Sequence, residues 1–232
     1  MPDFKTIYAN HADRYDRLVA REDYQGNLLR ALGEIRPLVG IDVVEFGAGT
    51  GRFTHMLAPL VGSIRAFDAS QHMLDVAAET LSRGGWSNWQ LAVADSRELP
   101  VEHDGADLAL AGWTFGHMTD WYPDTWRDEI GRAIGEMRRV LRPGGAGVIV
   151  ETLGTGRETP QPPAERLATY YAMLERDYRC ATTWIRTDYR FESQAEAAEL
   201  TGFFFGAPSP TKLTAEGAAI VPECTGVWWF IV

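Results

Sequence analysis

Residues 43–54 read VVEFGAGTGRFT. Ile41 to Phe46 form a short apolar run, and Phe53, Met56, Leu57 and Leu60 then recur at helical spacing, so the stretch predicts a strand, a tight turn and a helix. Glycine at 47, 49 and 51 lets the backbone turn sharply and lets a ligand come close to the main chain. A helix opening there presents free N–H groups to a polar ligand. The spacing is GxGxG. Arg52 stands where a GxGxxG dinucleotide turn has its third glycine, which weakens a pyrophosphate reading. A tight turn that binds nothing would carry the same glycines.

Working outward, the same strand-turn-helix unit recurs. Ser63 to Phe67 is a second apolar run ending at Asp68, and Ser70 is placed to cap a helix through Met73, Leu74, Ala77 and Leu81. Gln90 to Ala94 ends at Asp95, and Ala106 to Ala111 ends at Gly112. A long helix through Ile130, Ile134, Met137 and Leu141 is stopped by Arg142-Pro143-Gly144-Gly145, after which Ala146 to Thr152 gives a fifth strand. This alternation predicts an α/β class, with a Rossmann-like, doubly wound, mostly parallel sheet that finishes on an antiparallel C-terminal strand. Ligands of such sheets bind at the carboxyl ends of the strands, so the residues just after each strand matter most.

We expect one domain over 1–232. Residues 1–40 are helical, with patterns at Tyr8 to Asp16 and Tyr24 to Ile35; residues 41–152 are the core. Residues 153–192 read as an insertion after the fifth strand, with a helix over Ala164 to Tyr178 and one strand-like piece, Thr182 to Phe191. In 193–232 a capping box, Ser193 to Glu196, opens a helix to about Thr201, and Phe203 to Phe205 and Gly226 to Val232 read as strands.

Acidic residues number 32 against 22 basic, a formal net charge of -10, with no dense basic patch; such a surface repels phosphate backbones and argues against nucleic acid as partner. Cys180 and Cys224 fit no metal or redox spacing and read as two thiols, with a single disulfide left open. No apolar run reaches the roughly 18 residues of a membrane span, and MPDFKTIYANHADRYD is too polar for a secretory signal. The expected compartment is the cytoplasm, with no membrane partner. No HxH, HExxH or clustered carboxylate pattern supports a metal.

Asp68 and Asp95 are carboxylates at successive strand ends. The first could accept both hydroxyls of a ribose and the second an adenine amino group; either could instead cap a helix or a turn. At this point the sequence resembles the class I S-adenosylmethionine (SAM)-dependent methyltransferases, in their small-molecule, type 11 branch. The resemblance covers about residues 40–152: VVEFGAGTGRFT at 43–54, FDASQHMLDVA at 67–77, ADSRELP at 94–100, DLALAGWTFGHM at 107–118 and MRRVLRPGGAGVIVE at 137–151 match the family's successive motifs in order.

The resemblance implies SAM as cofactor and S-adenosylhomocysteine as product. It places Gly47, Ala48, Gly49 and Gly51 around the methionine part, Glu45 on the ammonium group directly or through water, and Asp68 with Ala69 at the ribose. Met73 falls near the adenine, Asp95 with Ser96 at its edge, and Ala111, Gly112 and Trp113 on the sulfonium side. Tyr8, His11 and Tyr15, with Ala12 and Asp16, resemble the family's N-terminal lid, which assigns Tyr15 to the cofactor and would exclude water from an SN2 methyl transfer. The fourth motif lacks the Asn/Asp-Pro-Pro-Tyr type of sequence of amino-methylating nucleic-acid enzymes, so the expected acceptor is a small molecule.

Aligning nucleophile, methyl and sulfur supplies about 7–11 kcal/mol of such a reaction, and a base is needed only where the acceptor loses a proton. His117, after the fourth strand, is the candidate general base, against a role as a packed histidine. Trp113, Tyr171 and Trp184 are candidates to touch a flat, partly apolar acceptor, although most such rings fill cores. The rival readings are a SAM-binding module without catalysis, an NAD(P)-dependent oxidoreductase, and a SAM enzyme that transfers another group.

Overall fold

The computed structural model describes residues 4–232, so positions 1–3 of the expected N-terminal helical segment lie outside the described residues. Three helices come first: α1 (Phe4–Asn10), α2 (Ala12–Val19) and α3 (Asn27–Ile35). The Asp23 carboxylate starts α3 by accepting from the N–H groups of Asn27 (2.8 Å) and Leu28 (2.9 Å), two donors that the first turn leaves free.

The alternating part follows as β1 (Asp42–Phe46), α4 (Arg52–Leu57), β2 (Ser63–Asp68), α5 (Gln71–Arg83), β3 (Trp89–Val93) and β4 (Ala106–Gly112). A single 3-10 turn, Phe115–His117, leads into α6 (Met118–Trp121), α7 (Trp126–Val140) and β5 (Leu141–Thr155). The last third holds α8 (Glu165–Arg176), β6 (Ala181–Arg186), β7 (Tyr189–Phe191), α9 (Gln194–Phe205), β8 (Lys212–Leu213), β9 (Ala219–Val221) and β10 (Glu223–Ile231).

The main sheet has seven strands in the order β3-β2-β1-β4-β5-β10-β6. Strands β1 to β5 pair in parallel, and β10 runs antiparallel to both β5 and β6. Strand order reverses between β1 and β4, so the crevice at their carboxyl ends is where this topology offers a binding site. Both faces are covered, and side chains alternate between them. Val44, Phe46, Ala109, Ala111 and Ile149 pack with Ile130, Ile134 and Met137 of α7 and Tyr170 and Leu174 of α8. Val43, Leu108, Leu110, Val148 and Val150 pack on the other face with Leu28 and Leu32 of α3 and Phe53 and Leu57 of α4.

Beside this sheet lies a small one, β7-β9-β8, against which Leu18 of α2 and Ala197 and Leu200 of α9 pack. Arg21 ties the same corner with ion pairs to Glu196 (2.8 Å) and Glu192 (2.9 Å). The N-terminal helices are thereby fastened to the C-terminal part of the chain, above the crevice.

Four expectations need correction. Residues 153–192 are not an insertion: α8 crosses over to β6, the edge strand of the main sheet. The stretch 182–191 is two strands in two sheets, because Thr187 and Asp188 turn the chain toward β7. Phe203 to Phe205 end α9 rather than form a strand; Phe204 and Phe205 pack on the third core cluster and Gly206 closes the helix at φ 80°. Arg142 to Gly145 stop α7 but make no separate loop, since β5 begins at Leu141 and absorbs them as an irregularity in its pairing with β4.

Gly147 of β5 sits opposite Phe230 of β10, and a Cβ there would lie 2.2 Å from the ring. Phe230 is buried and cannot swing away. Gly147→Ala is expected to destabilise the chain by about 1–3 kcal/mol through overpacking, read as a lower urea midpoint with an unchanged m-value.

Candidate active site

The turn after β1 is built from glycines in the left-handed region, with φ 70°, 55° and 84° at Gly47, Gly49 and Gly51. Gly47 also has no room for a side chain, because a Cβ would meet Thr114 Oγ1 at 2.3 Å. That hydroxyl donates to the Gly112 carbonyl (2.9 Å) and lies within reach of those of Phe46 and Gly47, which joins the ends of β1 and β4. Gly49 faces the Met73 methyl and the edge of the Tyr15 ring, 3.4 and 3.9 Å from where a Cβ would stand.

Asp68, at the end of β2, accepts from Gly49 N–H through Oδ2 (2.9 Å) and from Ser70 N–H through Oδ1 (2.8 Å). Burial pushes its pKa up and these bonds pull it down. Each oxygen keeps a lone pair for a further donor. Ala48 is buried and donates its N–H to the Phe67 carbonyl (2.8 Å), and Ala69 is exposed at the start of α5. Met73 is buried; its N–H reaches Ser70 Oγ at 3.4 Å, so the expected cap of α5 is present. Thus Tyr15, Gly47, Gly49, Asp68 and Met73 come together as the sequence implied.

Glu45 is 1% exposed and accepts from Thr54 Oγ1 (2.5 Å). Burial first, and then the Asp68 charge, raise its pKa to about 8 against the pull of the Thr54 hydrogen bond. Asp95 is engaged by Arg97 of its own loop: Oδ1 accepts from Arg97 N (2.9 Å) and Nε (2.8 Å), and Nη2 bonds Oδ2. The guanidinium holds this carboxyl below its usual range. Asp95 therefore reaches the site with much of its acceptor capacity already used, and Ser96 is half-buried next to it. Ala111 is fully buried in the sheet core, so its backbone alone is open to contribute.

Trp113 has φ 49°, a strained conformation for so bulky a residue. It is held there by its N–H to the Val150 carbonyl (2.7 Å), by stacking on Phe53 (5.8 Å) and by the Arg52 guanidinium 4.6 Å above it. Tyr171 and Trp184 lie elsewhere. They line a hollow of about 410 Å³ between α8 and β6, with Leu153 and Trp228, and Tyr171 donates to the Thr152 carbonyl (2.8 Å). The three proposed acceptor rings do not converge.

A different aromatic group surrounds His117. Trp121 stacks on it at 5.1 Å and 14°, Phe4 lies tilted at 5.1 Å, and the Tyr8 hydroxyl is 2.9 Å from Nε2. Tyr8 in turn packs edge-on against Tyr15, and Phe204 touches both Phe4 and Tyr15. Burial lowers the His117 pKa to about 4, with Asp120 acting weakly the other way, so the imidazole is neutral near pH 7. The turn that carries it is fixed by Glu151 at 4% exposure, which accepts from Gly116 N–H (2.8 Å) and lies beside Phe115 N–H and Tyr170. Sequence reasoning gave Glu151 no role: it lies inside the fifth strand rather than at its end, so the strand-end signal that marked Asp68 and Asp95 does not reach it. The partnership of Tyr8 with His117, and of Phe204 with Phe4 beside them, joins positions far apart in the chain and leaves no local pattern.

Among the described residues no group of three or more His, Cys, Asp or Glu is placed to hold a metal, both cysteines are free and buried, and no helix is long and apolar enough to cross a membrane.

Glu45, Glu151 and Glu223 all have pKa values near 8 in the fold, against 4.5 as the ordinary value. A carboxyl raised by folding contributes stability that is full below 4.5 and is lost as pH climbs through 8. The variant Glu151→Gln stays neutral throughout. Its unfolding free energy should therefore gain on the parent's by about 1–2 kcal/mol between pH 6 and 8; parallel urea curves at both pH values would contradict this.

Residues 43–145 match a family model described as a methyltransferase domain. The demethylmenaquinone methyltransferase of Staphylococcus aureus (strain MRSA252) is 29% identical over 152 residues, 63% of this chain and 58% of that one. The chain spans about three fifths of the length of the curated relatives it matches. Among solved structures, a putative type II methyltransferase from Anaeromyxobacter dehalogenans superposes with a TM-score of 0.60 at 20% identity, covering 91% of this chain and 97% of that one. A SAM-dependent methyltransferase from Aquifex aeolicus gives 0.55 at 16% identity, covering 99% and 94%. These two share the fold.

Proposed function

We propose that this chain, a member of the class I SAM-dependent methyltransferases by its domain and fold, moves a methyl group from SAM to a small-molecule acceptor. The observation that carries this is the glycine turn held by Asp68 under Tyr15 and Met73, at the point where the strand order reverses. The name of the demethylmenaquinone methyltransferases supports an acceptor of small-molecule type.

The residues present fit the cofactor. Gly49 leaves a cradle between Met73 and Tyr15 that a side chain would fill. Asp68 retains lone pairs for two ribose hydroxyls. Glu45, buried without a counter-ion, is matched by an ammonium group, directly or through water. Asp95 and Ser96 would take the adenine edge with what Arg97 leaves free. When bound, SAM supplies a methyl group on a positively charged sulfur. The chain's own work is alignment and exclusion of water: α1 and α2 cover the crevice, and Tyr8 and Tyr15 lie over it.

His117 is the proton acceptor in this scheme. The acceptor loses a proton as it gains the methyl, and the neutral imidazole Nε2, which now meets the Tyr8 hydroxyl, receives that proton directly or through Tyr8. Because burial lowers its pKa to about 4, the basic form persists well below pH 6.5. In an assay with a quinol or phenol acceptor, His117→Ala should lower kcat by about 10²–10⁴, and the parent's kcat/KM should stay flat from pH 7 down to pH 5. Near-parental turnover in the variant would remove His117 from the chemistry.

A further inference from the structure

Tyr171 and Trp184, which the methyl-transfer scheme does not use, line a hollow of their own. It measures about 410 Å³ and lies between α8 and β6, at the edge of the main sheet. Strands β4, β5 and β10 separate β6 from β1, so the hollow is remote from the crevice between β1 and β4. Small side chains make the space. Ala168 and Ala172 stand one turn apart on α8, with Tyr171 and Glu175 on the same side of the helix. Across from them, Thr182 and Trp184 of β6 pair in register with Trp228 and Gly226 of β10, which puts all four on one face of the sheet.

The rings of this hollow are fixed in place. Gly226 gives the Trp228 ring room to lie along its own strand, since a Cβ at 226 would stand 2.3 Å from it. Tyr171 stacks on Trp228 at 4.6 Å and 26°, and its hydroxyl is tied to the Thr152 carbonyl (2.8 Å). Both are buried, whereas Trp184 is 47% exposed and is the ring most open to a ligand. A tryptophan at a sheet edge beside a hollow is apolar surface that folding has left in water.

One side chain of the lining is charged. Glu175 Oε1 accepts from the Trp228 indole N–H (3.0 Å), which holds the carboxylate against the rings. Among the described residues no other hydrogen bond and no ion pair engages it. The guanidinium groups of the same elements are taken elsewhere: Arg176 pairs with Asp177, Arg186 with Asp188, and Arg138 of α7 lies over Phe230. Aromatic faces attract cations, and the carboxylate adds a full negative charge. Leu153, Ala168 and Ala172 supply an apolar wall. An alkylated ammonium on an apolar body matches all three features. A carboxylate or phosphate would instead face Glu175 with no cation to offset it. The formal net charge of -10 also favours the approach of a cation.

We propose that the hollow between α8 and β6 is a second ligand site, apart from the cofactor crevice, and that it takes a small organic cation: an alkylated ammonium carrying an apolar or aromatic body. Trp184 and Glu175 are the residues that select it. This stands on the hollow alone and does not depend on the methyl-transfer reading.

The test is calorimetry on the full chain at pH 7 with three probes on one ring: benzyltrimethylammonium, benzyl alcohol and phenylacetate. The ammonium should bind about fivefold or more tightly than either of the others, the size of one cation–ring contact. Trp184→Ala removes the open ring and should weaken the ammonium by a similar factor. Glu175→Gln removes the charge but keeps an oxygen for the Trp228 N–H, and should erase most of the preference over benzyl alcohol. Both side chains lie at the surface, so both variants are expected to fold. No binding of the ammonium, binding no tighter than that of benzyl alcohol or phenylacetate, or an ammonium affinity unchanged in either variant would each overturn the proposal.

Discussion

The turn after β1 is held in place from the neighbouring strand. One carboxylate, that of Asp68, takes the N–H of Gly49 with one oxygen and the N–H of Ser70 with the other, so the glycine turn and the start of α5 are positioned by a single side chain. Three successive left-handed glycines are an entropic cost in any fold, and here the sheet offsets it. Thr114 holds the turn from the β4 side, and Ala77 packs against Gly51 from α5. What results is a rigid concave backbone at the switch point, with Tyr15 and Met73 above it. The N-terminal helices and His117 are arranged around that fixed floor.

The other half of the site depends on burial more than on hydrogen-bond geometry. Glu45 near the end of β1, Glu151 within the last third of β5 and Glu223 at the start of β10 are each removed from water. A carboxyl in such a place stays protonated until a cation or a set of donors reaches it. Glu151 spends its capacity on the turn that presents His117, whereas Glu45 accepts from Thr54 and Glu223 from Thr152. His117 follows the same physics with the opposite sign: burial removes its charge and leaves a neutral base. The end of the sheet is therefore prepared for ligands by desolvation, consistent with a reaction that needs alignment in a dry crevice.

Much of the fold was legible because it is local. VVEFGAGT, FDASQHML and DLALAGWT each carry a strand, its terminating residue and the onset of a turn or helix within a dozen positions, and the doubly wound sheet follows from their repetition. The same locality let the sequence single out Gly47, Gly49, Asp68 and Met73, which the fold gathers at one turn. The last third was harder, since β6 has exposed, polar side chains at a sheet edge and looks like a loop, while β7, β8 and β9 are two or three residues long. FFF at 203–205 has a strand's composition, but the capping box at Ser193 and the packing of Phe204 and Phe205 carry the helix through it. Of the rings chosen from sequence, Trp113 lies apart from Tyr171 and Trp184, and those against His117 come from α1 and α6, with Phe204 of α9 behind Phe4. No pattern within one segment reports a meeting of residues 4, 8, 117 and 204.

The proposed function rests on the Asp68-clamped turn being a nucleoside site of the SAM type. The most direct measurement is calorimetric titration of the parent and Asp68→Ala with SAM, S-adenosylhomocysteine and NADH. The first two are expected to bind the parent and to weaken in the variant by about tenfold or more, and NADH is expected not to bind. Binding of NADH alone, or SAM affinity untouched by the loss of Asp68, would contradict it.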